Sequence, residues 1–134
     1  EKQNGKNSKG DITHEHIMPQ TVKNTTAGGK KWIDYIKKTH KNYSEDDVKD
    51  FHEKWRNKLG NLTLLSDQLN KEAQQDMLVD KIPVYDQDVF RITKEIGTKW
   101  SSNNDWTEKE INKRHEALRE ELLKILDIEK LKTR

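Results

Sequence analysis

The 134-residue chain has no cysteine, so disulfides and thiolate-ligated metal sites are excluded. Hydrophobic residues make up only 30% of it, against 37% charged, and any core must be small. Four tryptophans offset part of that shortage, because each buries a large area. No apolar run is long enough to span a bilayer, no signal-peptide pattern opens the chain, and no internal repeat is present. A reducing, cytoplasmic setting without a membrane is the simplest expectation. The net charge of +2 is nearly silent about partners. Its distribution says more: residues 1–60 hold 13 Lys/Arg against 9 Asp/Glu, and residues 61–134 hold 13 against 15. The basic bias lies on the half that carries His16, which is compatible with a polyanionic partner.

What is present fits one domain. Residues 1–10 are polar and read as a disordered or extended lead-in, and 11–134 as the folded domain. Opening on Glu1 rather than Met, the chain reads as the C-terminal part of something longer. Ile12–Met18 reads as a strand stopped by Pro19, and 21–29 as loop. Trp32, Ile33 and Ile36 share a face of a helix over Lys31–Lys41. Ser44 with Asp47 is a cap signal for a helix whose apolar positions are Val48, Phe51, Trp55 and Leu59, with Gly60 as its stop. Asn61–Leu65 suits a short buried strand, and Ser66 or Asp67 caps a helix through Gln75. Residues 76–86, with Pro83, read as a connection, and Gln87–Ile96 as a helix ended by Gly97. Thr107 and Glu110 form a capping box before a helix with Ile111, His115, Leu118, Leu122 and Ile125 on its buried stripe. The expected architecture is α+β: mostly helical, around a two-stranded hairpin with a two-helix insertion between its strands.

Two motifs carry chemistry: Glu15-His16-Ile17-Met18-Pro19-Gln20, and Gly60-Asn61-Leu62-Thr63-Leu64-Leu65 followed by Asn70. A neutral imidazole at His16 can take a proton from water near pH 7. Antiparallel pairing sets Asn61 across from His16, where an amide can hold the ring in one tautomer. Glu15 and Asn70 offer the oxygen ligands that Mg²⁺ prefers. Alternation along a strand opposes this set, because Glu15 and His16 then point to opposite faces, while His14 and His16 share one and suit a transition-metal pair. Lys71, Lys81 and Arg114 are candidate phosphate contacts, with a solvated surface as the default role. His40, His52 and His115 read as structural or exposed.

Taken together these strings resemble the HNH (His-Me finger) nucleases, and more narrowly the C-terminal domain of GmrSD-type modification-dependent restriction endonucleases and their phage-defence relatives. The similarity takes in Ala73, Lys81 and the Trp106, Ile111, Arg114, Leu118 pattern, and covers the chain from about Ile12 onward. It implies a ββα-metal fold and metal-dependent hydrolysis of double-stranded DNA, leaving a 5′-phosphate. By position, His16 matches the general base, Asn61 the central asparagine, Asn70 the last metal-site residue and Glu15 the acidic metal ligand. Glu15 stands where many relatives have Asp, and Asn70 where the motif's last His would fall, which favours Mg²⁺ (Mn²⁺ being an alternative) over Zn²⁺. Relatives pair this domain with an N-terminal nucleotide-hydrolysing sensor domain. Cutting both strands would call for paired sites, hence a homo-oligomer of the full-length protein. The competing expectations are a non-catalytic DNA-binding or interaction domain on the same scaffold, and a helical regulatory module.

Overall fold

The structure is a computed structural model that describes residues 11–101 and 103–132. The expected lead-in at 1–10 lies outside the described residues. Two strands, β1 (Ile12–His16) and β2 (Leu62–Ser66), form an antiparallel pair in which His14 lies opposite Leu64, Glu15 opposite Thr63 and His16 opposite Leu62. Between them run α1 (Ala27–Thr39) and α2 (Glu45–Trp55), the expected two-helix insertion. After β2 come α3 (Asp67–Ala73), α4 (Leu78–Tyr85), α5 (Arg91–Glu95) and α6 (Glu108–Lys132). The fold is α+β and mostly helical, with one small antiparallel sheet. Among the described residues no helix is long and apolar enough to cross a membrane.

Caps place both helices of the insertion. Thr26 Oγ1 accepts from Gly29 N at 3.0 Å, so α1 begins four residues before the expected Lys31. Ser44 and Asp47 make a reciprocal capping box, as their spacing suggested. The core gathers Trp32 and Ile36 from α1, Val48 and Phe51 from α2, Ile17 and Met18 beyond β1, Leu65 from β2, and Trp106 and Ile111 near the start of α6.

Four sequence expectations are corrected. β1 stops at His16 rather than Met18, because Ile17 and Met18 turn inward and leave the ladder. Residues 78–85 are helical despite Pro83, since Leu78, Lys81 and Tyr85 repeat at helical spacing and are all buried. The 87–96 helix shrinks to α5, followed by a π-turn over Ile96–Trp100 that contains Gly97. The buried stripe of α6 ends early: Ile111 is buried, but Leu122 and Ile125 are exposed.

Gly60 acts differently from a helix stop. α2 has ended by Trp55, and Gly60 sits in a short 3₁₀ turn, Leu59–Asn61, at an ordinary φ. Its lack of a side chain lets α6 lie against this turn: a Cβ there would come 1.9 Å from Ile111 O and 2.7 Å from His115 N. Both are helix backbone and cannot swing away. Gly60→Ala is expected to cost about 2–3 kcal/mol through forced separation of α6. Thermal denaturation should show a midpoint lower by roughly 4 °C for each kcal/mol lost. An unchanged midpoint would mean that α6 does not need this contact.

Candidate functional site

The segment after β1 is buried but has no strand partner, so its polar backbone groups need side chains. Lys81 Nζ donates to His16 O (3.0 Å), to Ile17 O (2.9 Å) and to Glu15 Oε2 (2.9 Å), which uses all three of its protons. Ile17 N donates to Asn61 O at 2.9 Å. The Asn61 side chain takes over at Met18: Oδ1 accepts from Met18 N at 2.8 Å and Nδ2 donates to Met18 O at 2.9 Å. Its remaining capacity goes to the Trp106 indole N–H (2.8 Å) and Arg56 O (2.8 Å). His52 Nε2 donates to Pro19 O at 2.7 Å, and Arg56 Nη1 to Gln20 O at 3.1 Å. The result is a rigid turn carrying His16 on its rim.

Asn61 therefore does not hold the His16 ring. All four of its side-chain bonds lie elsewhere, and it is fully buried. The amide at His16 belongs to Asn57, whose Oδ1 lies 3.0 Å from His16 Nε2. A carbonyl oxygen can only accept, so Nε2 is the donor in this contact, which leaves Nδ1 as the ring's other nitrogen for chemistry. Sequence reasoning missed Asn57. Its one signal was an amide in the Asn57-Lys58-Leu59-Gly60 turn that delivers the chain to β2.

Strand alternation decides among the remaining candidates. His14 and His16 share the outer face, with ring centroids 5.9 Å apart. Glu15 points inward, where its Oε2 accepts from Lys81 and from Tyr85 OH at 2.8 Å. Burial pulls the Lys81 ammonium below its ordinary value, and Glu15 pulls it partly back. Burial, then Glu15, raises the Tyr85 hydroxyl well above its ordinary value, so it stays a neutral donor. Tyr85 is hidden in the sequence because Pro83 makes 76–86 read as a connection; the helix there puts it one turn after Lys81.

Asn70 approaches β1 from the side opposite β2. Its Nδ2 donates to Thr13 Oγ1 (2.6 Å) and His14 O (3.3 Å), while Thr13 Oγ1 itself donates to Leu65 O. That chain of donors fixes the amide orientation and leaves Oδ1 as an acceptor with no partner among the described residues. A cavity of about 310 Å³ lies here, lined by His14, Glu15, His16, Pro19, Gln20 and Asn70 among others. Gln74, which closes α3 and also lines the cavity, holds a positive φ of 38°.

The three basic candidates divide. Lys71 is exposed one residue from Asn70 and pairs with Asp67 at 3.2 Å. Lys81 is fully buried in the turn just described, so it is not a phosphate contact. Arg114 is also fully buried, its Nη1 donating to Gly60 O (2.9 Å) and Leu62 O (2.6 Å), and burial lowers its pKa to about 10. It stays charged at neutral pH but braces the 3₁₀ turn and β2 from α6 and is unavailable to DNA.

Among the described residues no three His, Asp or Glu side chains form a metal-binding group. A single oxygen-preferring cation asks less: Mg²⁺ commonly takes one or two protein oxygens and keeps its waters. Asn70 Oδ1 meets that demand. Glu15 also lines this cavity, and among the described residues only Oε2 of its carboxylate is bonded. His14 adds a nitrogen donor on the exposed rim.

His16, on the rigid turn after β1, and Asn70, on α3, thus line one cavity of an α+β scaffold. Over residues 1–121 the sequence matches the GmrSD restriction endonucleases, C-terminal domain, and the chain belongs to that family. No curated protein and no solved structure matches it.

Two measurements separate scaffold from site. Asn61→Ala strands four hydrogen-bond partners, three of them buried, and is expected to cost about 3 kcal/mol or more in chemical denaturation. Asn57→Ala, at an exposed position, should change stability by less than about 0.5 kcal/mol, while ¹⁵N NMR shows His16 losing its single Nε2–H tautomer. Equal destabilisation by both would erase the distinction. His52 gives a pH signature. Burial lowers its folded pKa below the ordinary 6.5, so below about pH 6.5 the unfolded chain takes up a proton that the folded chain refuses. Stability should fall with pH from 6.5 down to the depressed folded value, and the His52→Gln variant should lose that dependence.

Proposed function

We infer that this domain is a metal-dependent DNA endonuclease, the cutting module of a modification-dependent restriction or phage-defence system. The observation that carries the reading is His16: one ring nitrogen is tied to Asn57, and the residue lines the same cavity as Asn70. Membership of a restriction endonuclease family supports double-stranded DNA as the substrate. The β1–turn–β2–α3 arrangement is then the ββα-metal unit of an HNH (His-Me finger) nuclease, with the two-helix insertion between its strands.

In this mechanism His16 Nδ1 takes a proton from a water aligned behind the scissile phosphorus. Asn57 holds the ring and stabilises the imidazolium as it forms. Asn61 acts through the backbone, fixing the turn that sets the height of His16 above the cavity. Asn70 Oδ1 and Glu15 Oε1 would hold Mg²⁺, with Mn²⁺ accepted in its place. Such an ion supplies positive charge for a phosphate oxygen and for the departing 3′-oxygen. Lys81 and Tyr85 hold the other oxygen of Glu15, so the carboxylate is aimed before any ion arrives. Lys71, beside Asn70, positions the phosphate backbone without reading sequence. Choice of DNA then belongs to an N-terminal nucleotide-hydrolysing sensor domain acting in the cytoplasm with this one.

Plasmid cleavage by the purified domain with Mg²⁺ or Mn²⁺ tests this. His16→Ala should lower the rate by about 10²–10⁴-fold, and Asn70→Ala should abolish cleavage at low metal concentration with partial recovery at high. Asn57→Ala should retain more activity than His16→Ala. Wild-type activity in His16→Ala would sink His16 as base, and a wild-type domain that binds but does not cut would leave the scaffold as a DNA-binding module.

A further inference from the structure

Arg56 carries more hydrogen-bonding capacity than the fold uses. It caps the C-terminal end of α2, where its N donates to His52 O at 2.9 Å and its O accepts from Asn61 Nδ2 at 2.8 Å. Its Nη1 donates to Gln20 O at 3.1 Å. The rest of the guanidinium is uncommitted. Among the described residues no carboxylate pairs with it, and its Nε is buried without a hydrogen-bond partner. A buried donor in that condition destabilises the fold, so packing alone does not account for it.

Arg56 lines a cavity of about 460 Å³ between the 21–25 loop and α2, together with Lys23, Lys49, Thr21, Asn24 and Thr25. Both lysines are exposed and neither is in an ion pair among the described residues. Two carboxylates also line the cavity. Glu45 is taken by Lys37, and Glu53 pairs with neither Lys49 nor Arg56 among the described residues. Three cations against one unpaired carboxylate leave a positive wall.

That wall adjoins the candidate site. Thr21 lines both this cavity and the one lined by His16, Gln20 lines the latter, and Arg56 directly precedes the Asn57 that bonds His16. The shared edge is braced, since Gln75 Nε2 donates to Thr21 O at 3.2 Å. A nucleic-acid strand lying across His16 carries a further phosphate at each nucleotide, about 3.4 Å along the axis. An arginine fork takes such a group through paired N–H bonds. We propose that Arg56, with Lys23 and Lys49, forms a phosphate subsite that holds the strand next to the phosphodiester cleaved at His16. The position of the cleaved bond rests on the nuclease reading; the anion site itself does not. Arg56 binds here and takes no part in proton transfer.

Fluorescence anisotropy of the full chain with a short labelled DNA duplex, in chelator, reads the subsite without cleavage. Arg56→Ala should weaken binding about tenfold, and Lys49→Ala about threefold. Each should reduce the slope of log affinity against log salt by about 0.9, the mark of one lost phosphate contact. Loosening of the turn alone would not move that slope, and Lys49 is exposed, so its variant reads the site even where Arg56→Ala disturbs the fold. Arg56→Lys should recover the slope but only part of the affinity, because it keeps the charge and loses the fork. Lys94→Ala, on α5 and not lining this cavity, should bind as the wild type does. An unchanged slope in Arg56→Ala or Lys49→Ala overturns the proposal, as does a chain with no affinity for the duplex. The two readings fail separately. Plasmid cleavage by a chain whose binding ignores Arg56 and Lys49 keeps the nuclease and removes the subsite; binding that needs both, with no cleavage under Mg²⁺ or Mn²⁺, does the reverse.

Discussion

Everything at this site depends on the turn 17–20 that follows β1. A buried strand satisfies its backbone against a neighbour; this segment has none and would carry several unmet polar groups into the core. Two side chains meet most of that demand. Lys81 covers the carbonyls of His16 and Ile17, and Asn61 covers both backbone groups of Met18. A buried ammonium is costly unless paired and fully hydrogen-bonded, and here Glu15 supplies the charge while two carbonyls use the remaining protons. The same groups that make the turn tolerable also make it stiff. Stiffness is what a general base needs, since a ring displaced by an ångström loses alignment with its water.

This explains how the hairpin can be so small. Two five-residue strands are marginal by themselves. They are held by elements that arrive from far along the chain: α2 through His52 and Arg56, α4 through Lys81 and Tyr85, and α6 through Arg114 and the Trp106 just before it. Each contact crosses more than thirty residues of sequence and ends on a backbone atom, or on Asn61 or Glu15. The long insertion between the strands costs little beyond its closure entropy, which grows slowly with length, and it contributes Trp32, Ile36, Val48 and Phe51 to the shared core.

The legible part of the site was the part written in residue type and local order. His16 followed by Pro19, an asparagine opening the second strand and a second asparagine on the next helix were enough to locate the cavity. What stayed illegible was direction. Pairing of the strands points Asn61 at His16; its side chain turns inward because Met18, Trp106 and Arg56 together offer four bonds there. Lys81 and Arg114 looked like phosphate contacts because lysine and arginine are usually solvated, yet both are buried for backbone carbonyls. Asn57 and Tyr85 were missed for separate reasons. An amide in a turn carries no periodic signal, and Pro83 disguised the helix that aligns Tyr85 with Lys81. Glu15 was the ambiguous case: alternation turns it inward, where Lys81 and Tyr85 hold its Oε2.

The two halves of α6 show the same division between what a fold needs and what remains. Its first half is consumed by the site: Gly60 admits Ile111 and His115, Trp106 reaches Asn61, and Arg114 braces the turn into β2. Beyond Leu118 the helix runs past the end of the domain's core, and an isolated stretch of that kind gains nothing from tertiary packing. Leucine is a good helix former, but so are lysine and glutamate, which would keep such a stretch helical without exposing apolar surface. Four large apolar residues within five positions are therefore not explained by helix formation.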